Sequence, residues 1–394
     1  MNDAILVLNC GSSSIKFALF DAGADPLPRT PAWSGQVEGI GGGQPRILRS
    51  DAAAQAAALA ADRPHDAALE LVRQCVQQRL GGRLPAAVVH RVVHGGSRYT
   101  GPVRVDRKVL GDLRGYVALA PLHQPFALRA IEVLLDELPA LPQVGCFDTA
   151  FHHTLPEVET LLPLPHALTQ RGIRRYGFHG LSYAYLATAL AERHGDAARG
   201  RTIVAHLGSG ASLCAMQGLA SVATTMGFSA LDGLMMGTRC GALDPGVLLH
   251  LMQADGLDAK RLERLLYHES GLLGVSGISA SPKLLLAAER EDPRARAALA
   301  LYLRRIVREV GALTAVLGGL DMLAFTAGVG ENSAELRERI GSALAWLGVQ
   351  IDAGANDRHA ATISTAASRV RVVVEPTNEA WVAATQALPL LRQR

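Results

Sequence analysis

The sequence predicts a mixed α/β protein, and three observations carry that reading. Short apolar runs of strand length alternate with longer stretches whose apolar residues recur at helical spacing. A strand, a small-residue turn and a second strand occur at the N-terminus and again about half a chain later. Hydrophobic residues make up 49% of the 394 residues against 19% charged. That is material for a sizeable core and, at roughly 100–200 residues per domain, for two or three domains. Periodicity shows α/β or α+β architecture; strand order it does not show.

Bulk composition narrows the class. Lys plus Arg is 39 against 36 Asp plus Glu, a formal charge of +3, too small to argue for nucleic acid as a partner. No apolar stretch approaches the roughly 20 residues that a membrane helix needs. The first twenty residues carry no basic leading segment before their apolar run, so no signal peptide is expected. Five cysteines, at 10, 75, 146, 214 and 240, form an odd, widely spaced set without CxxC. They favour reduced thiols in a cytoplasmic protein over a disulfide scaffold.

The elements follow in order. Ala4-Ile5-Leu6-Val7-Leu8 ends in Asn9-Cys10-Gly11-Ser12-Ser13-Ser14, and a second apolar run, residues 15–20, follows at once; this reads as two strands and a Gly/Ser turn. Residues 22–50, rich in proline and glycine, read as irregular hairpins or loops. Val88 to Val93 is strongly β-prone, and a helix over 126–138 places Ile131, Leu134, Leu135 and Leu138 on one face. Another helix is expected over 181–194. The hairpin pattern then returns, as Thr202-Ile203-Val204-Ala205 leads through His206-Leu207-Gly208-Ser209-Gly210 into residues 211–216. A long helix is expected over 294–317. Leu323 to Thr326 runs into Ala327-Gly328-Val329-Gly330-Glu331-Asn332, with a helix after it that takes Asn332 as N-cap and Glu335 at the capping-box position.

Three glycine-rich turns that each leave an apolar strand suit phosphate, because glycine admits close backbone approach and successive N–H groups form an anion nest. Neither GxxxxGK[ST] nor a GxGxxG opening a helix after the first strand is present, which disfavours the P-loop and the dinucleotide site. The charged residues add to this. Arg91 is embedded in a β-prone run, where a cation is costly without an anion. Asp148 follows the apolar run 144–147, His179 lies in Tyr176-Gly177-Phe178-His179-Gly180, Arg239 in a Met-Gly loop, and Glu379 in Glu375-Pro376-Thr377-Asn378-Glu379. Two arginines, a histidine, two carboxylates, an asparagine and phosphate loops match what phosphoryl transfer needs: cations on the moving charge and oxygen ligands for Mg²⁺. His90 and His94 have i,i+4 spacing without a glutamate between them, and His152-His153 are adjacent; neither pair suits a metal.

These strings resemble the acetate kinase family across nearly the whole chain. Asn9 to Lys16, HRVVHGG at 90–96, FDTAFHHTLP at 147–156, RRYGFHG at 174–180, GLMMGTRCG at 233–241 and FTAGVGEN at 325–332 fall in family order. The resemblance implies a homodimer whose subunit has two duplicated domains of ribonuclease H-like, actin-like ATPase type with an interdomain cleft. One domain would span 1–149 plus 380–394, and the other 150–379. It implies ATP and ADP as co-substrates, acetate and acetyl phosphate as partners, and Mg²⁺, with Mn²⁺ as a substitute. Asn9 and Glu379 would bind the metal; Lys16, with Ser12 and Ser14, would contact the nucleotide. Arg91 would bind the substrate, Asp148 would be the catalytic carboxylate, and His179 and Arg239 would stabilise the transition state. His206, Leu207, Gly208, Ser209 and Gly210, then Ser281, Pro282 and Lys283, and Gly328, Val329, Gly330, Glu331 and Asn332, would hold ATP. Val93, Leu122 and Phe178 would wall the pocket for the substrate methyl.

The sequence departs from the family pattern at Ser209, where the pattern has asparagine. It departs again at Ser281 and Lys283, which replace Asp and Arg, and at Ala230, which replaces a proline. Lysine offers no planar fork, and a roomier pocket weakens discrimination against propionate, a methylene being worth about 1–3 kcal/mol. Three alternatives stand beside acetate: another short-chain carboxylate kinase, chiefly for propionate; a nucleotide-binding ATPase without acyl transfer; and, less favoured, a sugar kinase, whose hydroxyl acceptor would need a base.

Overall fold

The N-terminal apolar run folds as β1 (Ala4–Cys10) and turns back at once as β2 (Ser14–Asp21), the turn closed by Gly11 N–H donating to Ser14 O. The structure is a computed structural model describing residues 3–121 and 123–392. It divides into two units, the first comprising Met1–Phe151, Gly180–Ser182 and Asn378–Arg394, the second His152–His179 and Tyr183–Thr377.

The first unit carries an eight-stranded sheet. To β1 and β2 it adds β3 (Trp33–Glu38), β4 (Arg46–Arg49), β5 (Ala52–Ala56), β6 (Ala87–Val92), β7 (Val103–Arg104) and β8 (Gln143–Phe147), in the order β5-β4-β3-β2-β1-β6-β8-β7. β1 pairs antiparallel with β2, and β2 with β3, while β6 runs parallel to β1 and to β8. The second unit has β9 (Arg201–Leu207), β10 (Ala211–Gln217), β11 (Ala220–Thr224), β12 (Met322–Thr326) and β13 (Arg371–Val374), in the order β11-β10-β9-β12-β13. Here too the first three strands are antiparallel neighbours, and β12 runs parallel to β9 and to β13. Both sheets therefore contain the same five-strand core, ordered third, second, first, fourth, fifth. The duplication that two hairpins only suggested is a duplication of topology.

The expectation of irregular hairpins or loops at 22–50 holds in its first form, since β3 and β4 pair antiparallel as a hairpin, but these strands are regular and buried rather than irregular. They place Trp33, Val37 and Ile47 in the same core as Leu6, Leu8, Phe17, Val72 and Leu134. The proline and glycine content hides the strand because Gly35 is a packing residue: a Cβ there would stand 2.5 Å from Phe17 Cζ, and Phe17 itself lies 5.0 Å from the Trp33 ring. A second correction concerns Asn332. It closes the short helix Ala327–Asn332, and Ser333 caps the next one, Ala334–Ala343, its side chain accepting from Leu336 N. The expected helices at 126–138, 181–194 and 294–317 are present as Gln124–Glu137, Gly180–His194 and Pro293–Leu317. Asp292 caps the last of these, accepting from Arg294 N, and Gly318 ends it at φ +69°, as expected of a left-handed glycine past a C-terminus. Among the described residues no helix is long and apolar enough to cross a membrane.

Candidate active site

In the first unit the chemistry gathers where the parallel strands end. Register sets Arg91 of β6 opposite Cys146 of β8, two residues short of Asp148. The helix Glu379–Arg392 packs on β1, β6 and β8, with Cys146 Sγ 3.6 Å from Ala383 O. The first residue of that helix is therefore brought to the strand ends. Arg91 donates from Nε to both Asp148 oxygens (3.0 and 3.1 Å), from Nη2 to Oδ2 (2.7 Å) and from Nη1 to Glu379 Oε2 (2.6 Å). Their side chains are only 19, 4 and 20% exposed. Burial alone would lower the Arg91 pKa, but Asp148 and Glu379 overcome it and hold the guanidinium above its ordinary value. Asn378 fixes the helix start, its Oδ1 accepting from Trp381 N at 3.1 Å and its Nδ2 donating to Arg29 O at 2.8 Å.

The cluster of Arg91, Asp148 and Glu379 sums to one negative charge, which a cation complements. Asn9 and Lys16 face each other across the β1–β2 ladder, and neither side chain makes a hydrogen bond or ion pair among the described residues. Ser12 is exposed and Ser14 half-buried at the turn. The loop after β6 is held from the other side: Gln124 accepts from His94 N and donates to His94 O, and His94 Nδ1 accepts from Gly96 N. Val93 is half-buried there; Leu122 lies outside the described residues.

In the second unit His179 occupies the residue before the helix Gly180–His194, at φ +58°. That left-handed conformation is unfavourable for a side chain with a Cβ, and such strain concentrates at functional sites. The turn is supported from behind by His152, with Nε2 donating to Phe178 O (2.9 Å) and Nδ1 accepting from Ser221 Oγ (2.8 Å); Phe178 is buried. The His179 ring stacks on His206 at 4.1 Å and 13°, and its Nδ1 lies 2.8 Å from Ser212 Oγ.

The β9–β10 turn, residues 207–211, runs beneath this ring. A Cβ added to Gly210 would lie 3.1 Å from His179 Nε2 and 3.6 Å from Arg239 Nη1, so two donors flank this one glycine. Arg239 donates to Ala230 O at 3.0 Å and makes no ion pair among the described residues. Burial pulls its guanidinium below the ordinary arginine value, opposed only by Tyr267. A desolvated cation without a carboxylate is a site for a phosphate or carboxylate ligand.

A cavity of about 290 Å³ opens next to the same turn, lined by Gly208, Ser209, Gly237, Leu272, Ala280, Ser281, Pro282, Tyr302 and Val329. It draws residues from all three segments expected to hold a nucleotide. Its walls are largely apolar, as a purine requires, and Gly208 and Ser209 of the glycine turn form part of the lining. Lys283 is exposed and is not part of this lining. Glu331 turns back on its own helix, its Oε1 accepting from Ala327 N (2.8 Å) and Thr377 N (3.2 Å), and Asn332 donates to Gly328 O. Leu272, Tyr302 and Ser212 were not singled out by sequence: each sits in a helix or strand pattern that a core residue satisfies equally well.

The model of the acetokinase family matches residues 4–385. A protein named acetate kinase from Rhodopseudomonas palustris (strain ATCC BAA-98 / CGA009) is 49% identical over 385 residues, covering 96% of each chain. Among solved structures, Porphyromonas gingivalis acetate kinase superposes with a TM-score of 0.87 at 34% identity, covering 99% of this chain and all of that one. A propionate kinase from Francisella tularensis subsp. tularensis SCHU S4 superposes at 0.89 with 33% identity, covering 98% of each.

Proposed function

The chain belongs to the acetokinase family, and on that premise we propose that it transfers the γ-phosphoryl group of ATP to acetate, reversibly, giving acetyl phosphate and ADP. The observation that carries this reading is the pair of donors at Gly210. His179 Nε2 and Arg239 Nη1 converge on a glycine turn beside a cavity of nucleotide size. Acetate is already an anion at neutral pH, since carboxyl pKa values lie near 4, so no general base is needed to make the nucleophile. The obstacle is bringing one anion onto another, and cations remove it.

The roles follow from local chemistry. Arg91 holds the acetate carboxylate, exchanging for it part of its present bonding to Asp148 and Glu379. Arg239 and His179 donate to the equatorial oxygens of the phosphoryl group in a direct in-line displacement, where charge builds up in the transition state. Val93 and Phe178 are the apolar side chains assigned to the methyl group. The base and ribose lie in the cavity between Gly208 and Tyr302, with the phosphates over the glycine turn. Asp148 positions rather than abstracts a proton.

The residues fit Mg²⁺. Asn9 and Glu379 provide hard oxygen donors, Glu379 Oε1 makes no hydrogen bond among the described residues, and the net negative charge of the Arg91 cluster favours a divalent cation. Bound there, Mg²⁺ would lower the charge on the phosphates. The five free cysteines support a reducing, cytoplasmic setting. The helix Pro245–Gln253 supports a homodimer: none of its residues is buried, and Val247, Leu249 and Met252 are exposed at 39, 56 and 46%.

Propionate is the second reading, favoured by the likeness to a solved propionate kinase. One experiment decides both. Acyl phosphate is trapped with hydroxylamine, using acetate, propionate and butyrate, several nucleoside triphosphates, and Mg²⁺ present or absent. Acetate giving the highest kcat/KM is the expected result; a higher value for propionate moves the assignment. ATP hydrolysis with no hydroxamate from any acid refutes acyl transfer.

A further inference from the structure

We propose that Tyr183 and Ser212 form a hydrogen-bond relay that fixes His179 as a neutral imidazole carrying its proton on Nε2. This deepens the role given to His179 above and rests on it. The residues come from two elements: Tyr183 from the helix that begins at Gly180, and Ser212 from β10. Tyr183 OH lies 2.5 Å from Ser212 Oγ, which lies 2.8 Å from His179 Nδ1, and Tyr183 and Ser212 are both fully buried.

Proton counting narrows the arrangement. The Ser212 hydroxyl has one hydrogen, and its partners among the described residues are His179 and Tyr183 alone. A buried hydroxyl that donates to nothing is costly, so this hydrogen goes to His179 Nδ1 or to the phenol oxygen. In the first case Tyr183 donates to Ser212, Ser212 donates to Nδ1, and the ring proton sits on Nε2. In the second case a neutral ring presents a lone pair at Nε2, which repels phosphate oxygens. Of the two arrangements with a neutral ring, only the first makes His179 a donor at the atom that faces Gly210; a ring protonated on both nitrogens belongs to the second order, with its Nδ1 hydrogen on Ser212. Burial also holds the Tyr183 phenol well above its usual pKa, keeping it a donor. His206 supports the same geometry from the ring face, since it pairs with Ser212 across β9–β10 and stacks on His179. Fixing one imidazole nitrogen by a hydrogen bond sets what the other can do.

Ser212 and Tyr183 are thus positioning residues. In Ser212→Ala, kcat for acyl phosphate formation is expected to fall about 10–100-fold, the range seen when a partner that orients a functional imidazole is removed. KM for ATP and acetate should stay within about threefold, because neither ligand touches the hydroxyl. Tyr183→Phe should fall less, and Ser212→Thr should recover most of the loss. Independently, ¹⁵N histidine NMR of the wild-type protein, with His179→Asn for assignment, should show a neutral ring protonated on Nε2. A folded Ser212→Ala with kcat within about twofold of wild type, or a wild-type ring protonated on Nδ1, overturns the relay. If the wild type forms no acyl phosphate, the functional reading fails, and the ¹⁵N measurement still decides the relay.

Discussion

Acid should destabilise this protein well before its carboxylates titrate. Three histidines are buried as neutral rings: His90, His94 and His152, at 1, 0 and 2% exposure. Burial pushes each of them down to about 4, with Gln143 only partly offsetting it at His90 and the Phe178 carbonyl at His152. The unfolded chain binds these protons near pH 6.5, whereas the folded chain resists until about pH 4. The stability they contribute is therefore complete above pH 6.5 and is lost as pH falls toward 4. From those two values each histidine costs about 1 kcal/mol at pH 6 and about 2 kcal/mol at pH 5, or about 6 kcal/mol together at pH 5. Set against a total stability of about 5–15 kcal/mol, that is a large share. Near pH 5.5 nearly three protons separate the two states, a slope of about 4 kcal/mol per pH unit. Carboxylates held low by hydrogen bonds from arginines, such as Asp66 beside Arg129 and Asp321 beside Arg201, act in the same direction but at lower pH. Urea unfolding followed by tryptophan fluorescence from pH 7.5 to 5.0 measures the slope, and His90→Gln should remove about a third of it. Stability that stays flat over this interval, or a slope indifferent to His90, refutes the argument. The same groups hold parts of the candidate site, because His152 supports the turn bearing His179 and His94 braces the loop beyond Arg91.

Four further outcomes follow. Arg239→Ala should lower kcat about 10³-fold or more, as removal of a transition-state arginine does, with a much smaller change in KM for ATP; the hydroxamate assay reads both, and an unaltered kcat refutes the role. Asp148→Asn should also lose turnover, since an amide cannot balance Arg91; near-normal rates would remove Asp148 from the site. Val329→Trp places an indole in the cavity of about 290 Å³ and should raise KM for ATP about tenfold while leaving KM for acetate alone, as initial-rate kinetics will show. Leu249→Asp with Met252→Asp should convert a dimer to a monomer in sedimentation velocity, and a monomeric wild type would refute the dimer.

How much of this was legible in the sequence depends on how far apart the partners lie in the chain. The hairpin turns at Gly11 and at Gly208–Gly210, the strand-borne Arg91 and the strand-ending Asp148 are local features, and local pattern found them. The contact between Arg91 and Glu379 joins residues 288 positions apart; sequence supplied both residues but no reason to pair them. Ser212 reads as an ordinary strand residue because its function depends on which face of β10 meets Tyr183. Trp33 and Val37 were lost among prolines because a glycine between them serves a neighbouring ring rather than a turn. The expectation of Asn332 as cap fails for a related reason, since Ser333 takes that place. Both residues can cap, and the short helix that ends at Asn332 settles which one does.

The duplicated topology makes a final comparison possible, because equivalent positions have been given different electrostatic duties. The fifth core strand of each unit ends in a carboxylate, Asp148 after β8 and Glu375 after β13. Glu375 is 2% exposed and is bound by Arg193 at 2.9 Å, a helix arginine with no part in the site, so its charge is spent on structure. Asp148 is bound by Arg91, which shares itself with Glu379 and leaves the cluster one charge negative. In the second unit the cation beside the glycine turn, Arg239, has no carboxylate among the described residues. One copy of the fold thus carries surplus negative charge suited to a metal, and the other carries surplus positive charge suited to phosphate.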